Sequence, residues 1–194
     1  MLDLDIIDFW KWFTKNSDRL HSNNYDTSLL KKFDDTISSW NLGWEIGPGL
    51  TTENSLTISP NGDKELLEQT EKIINAAPAL ENWEFYSWKQ SKENWHKVKL
   101  VDREAEVDAI DWTYVLLKYP DHKIEILIKA DNLKSFDITT KELAVDLVLT
   151  NLLGEKRKIE ELNFIDIVNE FDDGQGITKL KFLPAHLDKM KSGA

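Results

Sequence analysis

The stretch Leu42–Lys89 reads LGWEIGPGLTTENSLTISPNGDKELLEQTEKIINAAPALENWEFYSWK, and it carries the signals of a complete ββαβ unit. Glycine and proline turns separate short segments of high strand propensity. Asp63 is placed to cap a helix, Pro78 ends it, and the apolar residues between them recur at helical spacing. We therefore expect two paired strands, a helix and a third strand, at residues 44–46, 56–59, 63–77 and 83–89.

The same order of elements recurs between Trp112 and Val168. Two alternating segments flank a Pro-Asp turn and predict a hairpin. A helix follows, for which Thr139 and Glu142 have the spacing of a capping box and Gly154 marks the end. We expect strands at 112–119, 124–130 and 162–168, with a helix through 159–165 as the alternative to the last one, and in the tail a strand at 180–183 and a helix at 185–190.

Apolar stripes at helical spacing predict two helices before the first ββαβ unit. We expect an α+β fold, in which an N-terminal helical hairpin is followed by two tandem ββαβ units of mostly antiparallel sheet with helices packed on it. The corresponding ranges are 1–40, 41–100 and 101–194, the last including a C-terminal extension, and we expect them to form one compact domain. Residues 90–99 are polar and are expected to form a loop.

The chain has 194 residues, a net charge of −11 and no cysteine. The charge is spread along the chain, with a net −5 in residues 1–100 and −6 in residues 101–194. A negative field repels phosphate backbones, so nucleic-acid binding is disfavoured and a basic protein partner is favoured. The N-terminus lacks the features of a signal peptide and no segment is apolar enough to span a bilayer, so we expect a cytoplasmic protein without a membrane partner.

Carboxylates occupy every second position in the segment 102–108, which is Asp102, Glu104, Glu106 and Asp108. In a strand this spacing would place all four on one face. Two interpretations follow, a divalent-cation site and the solvated outer face of an edge strand. The segment lacks the ligand loop of a calcium site, so we assign no metal and retain the four carboxylates as candidate contacts for a basic partner.

Tryptophan is abundant, with 8 residues, all of them at or before position 112. Trp88, Trp95 and Trp112 are the candidate interface tryptophans, since tryptophan is a favoured anchor of protein interfaces. The strand expected at 83–89 has aromatic residues on both faces, so it is either central in its sheet or covered on one face. A cleft beside this strand would suit the stacking of a sugar or a planar ligand.

No catalytic or cofactor motif is present. The turn Gly47-Pro48-Gly49 lacks the lysine of a phosphate-binding loop and precedes a strand, where such a loop precedes a helix. The four histidines show no metal-binding spacing, and no serine lies in a nucleophile motif. We therefore assign no catalytic residue, no cofactor and no metal, and a binding protein is favoured over an enzyme.

The segments WEIGPG, ISPNGDKELL, AAPALENWEFYSWK and LLGEK together resemble a family of bacterial proteins built on a domain of unknown function. The resemblance covers most of residues 40–168. It implies no activity, so no functional residue follows from it.

Two functions remain. The first is a non-enzymatic acidic module that binds a basic protein, for example as an inhibitor or an immunity-type partner. The second is a small-molecule or sugar-binding protein, or an enzyme, with a tryptophan-lined cleft. Nothing in the sequence specifies an oligomeric state.

Overall fold

A computed structural model describes residues 3–20 and 26–192. The chain divides into two compact units, the first ending at Lys89 and the second beginning at Gln90. The division into three segments expected from the sequence stays a prediction, and the two units are described here one at a time.

The first unit begins with two helices, α1 (Asp3–Asn16) and α2 (Thr27–Ser38). The carboxylate of Asp26 accepts hydrogen bonds from the backbone N–H groups of Ser28 and Leu29, so it caps α2. The rings of Phe9 on α1 and Phe33 on α2 lie 5.8 Å apart. The two helices therefore pack through the apolar stripes that the sequence predicts.

The ββαβ order of the first unit is confirmed. Its elements are β1 (Gly43–Gly47), β2 (Asn54–Ser59), α3 (Leu67–Asn75) and β3 (Trp83–Tyr86). β1 pairs antiparallel with β2, and β2 pairs parallel with β3. The parallel pairing of β2 with β3 requires a crossover connection, which contains α3. β3 lies at the edge of the sheet, and Trp83 and Phe85 pack against the core, so the interpretation as a covered strand is correct and the central one is wrong.

The core of the first unit is rich in aromatic side chains. Phe13 on α1 is fully buried, and its ring lies 5.0 Å from that of Trp83 and 5.6 Å from that of Trp10. The indole N–H of Trp10 donates to the carbonyl oxygen of Ile73 at 2.8 Å. Tryptophan can be buried here because its one polar group finds a backbone acceptor.

The second unit contains two sheets and three α-helices among its described residues. The elements in chain order are β4 (Lys97–Leu100), β5 (Ala105–Asp108), β6 (Thr113–Lys118), β7 (Ile124–Lys129), α4 (Ile138–Leu153), α5 (Glu155–Glu161), β8 (Phe164–Ile167), β9 (Thr178–Lys179) and α6 (Leu183–Ser192).

The larger sheet of the second unit has the strand order β8-β7-β6-β9. β6 and β7 form an antiparallel hairpin, and β8 lies parallel to β7, so the second ββαβ order is also confirmed. Gly154 ends α4 with a φ of 78°, and the short helix α5 follows it directly. The alternative helix through 159–165 is wrong beyond Glu161, because the chain turns into β8 there.

Three local predictions need correction. Asp137, and not Thr139, caps α4, since its carboxylate accepts the backbone N–H of Thr140 at 3.0 Å. Residues 97–99, expected in a loop, lie in the strand β4. The strand expected at 180–183 is instead a 3₁₀ turn at Leu180–Phe182 that leads into α6, which contains the predicted closing helix.

The fold is α+β, with separate sheets of three, two and four strands over the described residues. Four of the strand pairings are antiparallel and two are parallel. β1, β2 and β3 lie in one sheet and β6, β7 and β8 lie in another, so the two ββαβ units do not share a sheet. Within the described ranges, no helix is both long and apolar enough to cross a membrane.

Candidate partner-binding groove

The acidic segment 102–108 does not form the single row of carboxylates that its spacing predicts. Asp102 lies in a 3₁₀ turn, Val101–Arg103, and Glu104 has a left-handed backbone with a φ of 50°. Only Glu106 and Asp108 lie in β5. The interpretation of the whole segment as one strand is wrong, because Asp102 and Glu104 lie in the turn between β4 and β5.

The two carboxylates that remain in β5 face lysines on β4. Glu106 is paired in register with Lys99, and Asp108 with Lys97. Asp108 Oδ1 also lies 2.9 Å from Nδ1 of His96, and this hydrogen bond holds the pKa of Asp108 below its ordinary value. The solvent face of this hairpin therefore carries both signs of charge, so it attracts a basic partner less than the sequence predicts.

The three candidate tryptophans are not exposed. Trp112 is 2% exposed, and its indole N–H donates to Oδ1 of Asn132 at 2.7 Å. Trp95 is half-buried against the core of the second unit, and Trp88 in the first unit is half-buried. Trp112 is thus a core residue, and we do not retain it as a contact.

The structure does bring several predicted residues together. Asn132 donates to the backbone oxygen of Asp108 at 2.9 Å and accepts from Trp112, while His96 joins Asp108 to the ring of Trp95. These bonds fix the chain on either side of β5. Their geometry is that of a structural network, since most of its donors and acceptors are paired within it.

A groove of about 610 Å³ lies elsewhere in the second unit, between α4 and β8. We call it the α4–β8 groove. Its apolar floor and walls carry several exposed or half-buried aliphatic side chains, and three carboxylates lie among them. The lining residues are Ile138, Thr139, Glu142, Leu143, Val145, Asp146, Ile165, Asp166 and Ile167.

The groove follows the edge of a sheet. Ile165, Asp166 and Ile167 are consecutive in β8, and all three line it. Neighbouring residues of a strand point to opposite faces, so three in a row can line one groove only where it runs along the strand's edge. β8 is the terminal strand of its sheet, with β7 on its other side.

The charge in the groove is negative. Glu142, Asp146 and Asp166 are exposed, and among the described residues that line the groove none is basic. Asp146 forms an ion pair with Lys158, whose side chain is only 7% exposed. Glu142 and Asp166 have no such cation in the described ion pairs. Unneutralised carboxylates therefore flank the free edge of β8, with Glu142 on the α4 side and Asp166 on the face opposite Ile165 and Ile167.

Two smaller depressions lie in the first unit. One, of about 400 Å³, adjoins Trp83 and is mostly polar, with Asp18, Glu53 and Glu81 in its lining. The ring of Trp83 is nearly buried, because Phe13 and Phe85 contact it. The expected stacking cleft beside this strand is therefore not formed by Trp83.

The second depression, of about 340 Å³, lies between α1 and α2. It contains the half-buried rings of Trp12 and Trp40 together with Asp8, Lys32 and Thr36. The ring of Trp12 has Phe33 stacked at 6.3 Å and the ammonium of Lys32 at 5.5 Å.

Over residues 3–20 and 26–192, no three or more His, Asp or Glu side chains are grouped so that they could hold a metal ion.

The sequence offered little signal for the α4–β8 groove. α4 has apolar residues on most of its circumference, so its pattern does not define which of them stay exposed. Ile138 is 62% exposed and Leu143 is 41% exposed. That β8 ends the sheet depends on strand order, which is a long-range property.

No protein-family model, no curated protein and no solved structure matches this chain. The resemblance to a bacterial family of unknown function thus stays a prediction, and the function must be argued from the groove.

Proposed function

We propose that this chain is a non-enzymatic binding module that takes a basic segment of another protein in the α4–β8 groove. The observation that carries the proposal is the lining of this groove, which combines five aliphatic side chains with three carboxylates and has no basic residue among those described. Such a surface complements a segment that carries both apolar and cationic side chains.

Each feature of the groove contributes a different part of the binding. Each apolar side chain of the partner that becomes fully buried in the groove contributes about 1.5–3 kcal/mol before the entropic cost of binding is subtracted. Carboxylates at an exposed rim contribute about 0.2–1 kcal/mol each, and they mainly set specificity and association rate. The net charge of −11 adds a long-range attraction for a basic partner. We propose that the basic partner is an effector protein that this chain inhibits, as an immunity-type protein does.

A peptide array tests the proposal. Peptides of about eight residues alternate Lys or Arg with Val, Ile, Leu or Phe, and a matched array replaces Lys and Arg with Glu and Asp. We expect binding to members of the basic array and none to the acidic array. Affinities of the tightest peptides are then measured by isothermal titration calorimetry.

Two double variants locate the binding. Glu142→Gln/Asp166→Asn removes rim charge, while Asp146 is left unchanged because it pairs with the buried Lys158. Asp102→Asn/Glu104→Gln removes the same charge from the exposed turn between β4 and β5. We expect the groove variant to weaken binding by about three- to tenfold and the turn variant by less than about twofold. Equal losses in both variants, or no discrimination between the two arrays, would contradict the proposal.

A second candidate function is sugar binding at the depression between α1 and α2. The observation that favours it is the presence of two tryptophan rings beside carboxylate, ammonium and hydroxyl groups. Lys32 lies over the ring of Trp12, so a stacked ligand would have to displace it. This function predicts quenching of tryptophan fluorescence by a neutral sugar, with little dependence on salt, and Trp12→Ala would abolish the quenching.

A further inference from the structure

We propose that the partner segment enters the α4–β8 groove as an extended strand and adds to the free edge of β8. This inference rests on the proposed function and specifies the conformation and the residue pattern of the partner. Its starting point is the position of β8, which pairs with β7 on one side and has no strand on the other among the described residues.

An open strand edge has backbone N–H and C=O groups that a further strand can bind. Proteins usually guard such edges with charges, prolines or bulges. β8 has the sequence Phe-Ile-Asp-Ile, so Asp166 is its only charge, and Phe164 beside it is 50% exposed. The edge is therefore protected only against strands that carry negative charge opposite Asp166.

The side chains of β8 also predict the pattern of the added strand. Ile165 and Ile167 are half-buried and pack against the core that includes Ala144, Val145 and Val148 of α4. Asp166 points to the opposite face of the sheet, since side chains alternate along a strand. Alternate residues of the partner would thus be apolar, facing α4, and the residues between them basic, near Asp166.

A second copy of this chain is the competing occupant of an open edge. Two copies paired through β8 would bring their Asp166 carboxylates near each other, and each copy carries a net charge of −11. Like charges opposite each other destabilise strand pairing. The charge complementarity therefore selects a basic partner over self-association.

Backbone N-methylation tests the strand conformation without changing the protein. The probe is the tightest member of the basic array, made in two forms that are N-methylated at two odd or two even positions. In an extended strand, the N–H groups of alternate residues point to opposite edges. We expect one form to bind about tenfold more weakly, because its N–H groups face β8, and the other form to bind much like the parent peptide.

The two forms share the same conformational effect of methylation, so the difference between them isolates the backbone bonds. Equal affinities of the two N-methylated forms, or equal losses relative to the parent peptide, would overturn strand addition. The proposed function would still stand if the parent peptide bound the groove variant more weakly than the turn variant. Failure of the parent peptide to bind would overturn both. Sedimentation completes the test, since a dimer that the tightest basic peptide dissociates would assign the edge to a second copy and contradict the proposal.

Discussion

The backbone N–H of Thr51 donates to Oε1 of Glu84 at 2.6 Å, which ties the loop between β1 and β2 to β3. The same carboxylate accepts the backbone N–H groups of Leu50 at 2.7 Å and Thr52 at 3.0 Å, and the hydroxyl groups of Thr51 and Tyr86. The hydroxyl groups of Thr51 and Tyr86, followed by the backbone N–H groups of Leu50 and Thr51, lower the pKa of Glu84 to about 2.

Glu84 should make the first unit sensitive to acid. Its folded pKa of about 2 lies below the ordinary value of 4.5, so the stabilisation is complete above about pH 4.5 and is lost as the pH falls towards 2. We expect Glu84→Gln to lower the melting temperature at neutral pH and to match the wild type near pH 2. Thermal unfolding measured across this pH range checks the prediction.

Glu81→Gln is the matched control, because Glu81 is an exposed carboxylate in the same unit. A melting-temperature difference between wild type and Glu84→Gln that stayed constant between pH 2 and pH 6 would show that the carboxylate does not hold the loop.

Phe13 should be among the most sensitive positions of the first unit. Its side chain is fully buried among aromatic rings, including those of Trp10, Phe33 and Trp83. We expect Phe13→Ala to lower the free energy of unfolding by about 3–5 kcal/mol, because it loses apolar burial and leaves a cavity. Leu4→Ala on the same helix should cost less than about 0.5 kcal/mol, since Leu4 is 68% exposed. Urea unfolding followed by circular dichroism compares them.

Trp112 and Asn132 should be energetically coupled through the indole hydrogen bond. A double-mutant cycle with Trp112→Phe and Asn132→Ala isolates the bond from the packing of the ring. We expect a coupling free energy of about 0.5–1.5 kcal/mol. Additive effects of the two substitutions on the free energy of unfolding would mean that the bond contributes nothing.

Salt should separate the two contributions to binding in the α4–β8 groove. The carboxylates at the rim are exposed and are screened, while the burial of apolar side chains is not. We expect the affinity for the tightest basic peptide to fall between about 0.05 M and about 0.5 M NaCl and then to level off. Affinity that does not change with salt would exclude the rim carboxylates from binding.

The elements that the sequence predicted correctly are those with local signals. α3 ends at Asn75, three residues before Pro78, and the alternation at residues 124–129 marks a strand whatever lies beside it. Asp137 was missed as a cap because Thr139 has the capping-box spacing to Glu142 and Asp137 does not, although the carboxylate of Asp137 accepts the backbone N–H of Thr140. β4 was missed because the segment around it is polar, although Lys97, Val98 and Lys99 alternate.

The candidate site was harder to predict because it depends on long-range arrangement. Tryptophan is a residue type favoured at interfaces, and only the fold shows that Trp112 is buried and bonded to Asn132. Asp108 belongs to a segment rich in carboxylates, and only strand pairing places Lys97 opposite it. The groove itself exists because β8 ends its sheet, which no short segment specifies.

Backbone amide chemical shifts, recorded during titration with the tightest peptide of the basic array, test directly whether a basic segment binds in the α4–β8 groove. We expect the largest changes within residues 138–146 and 165–167, the two segments that contribute the lining of the groove. Changes concentrated on residues 97–108 would instead support the hairpin that the sequence favoured, and changes confined to the first unit, or none at saturating peptide, would contradict the account.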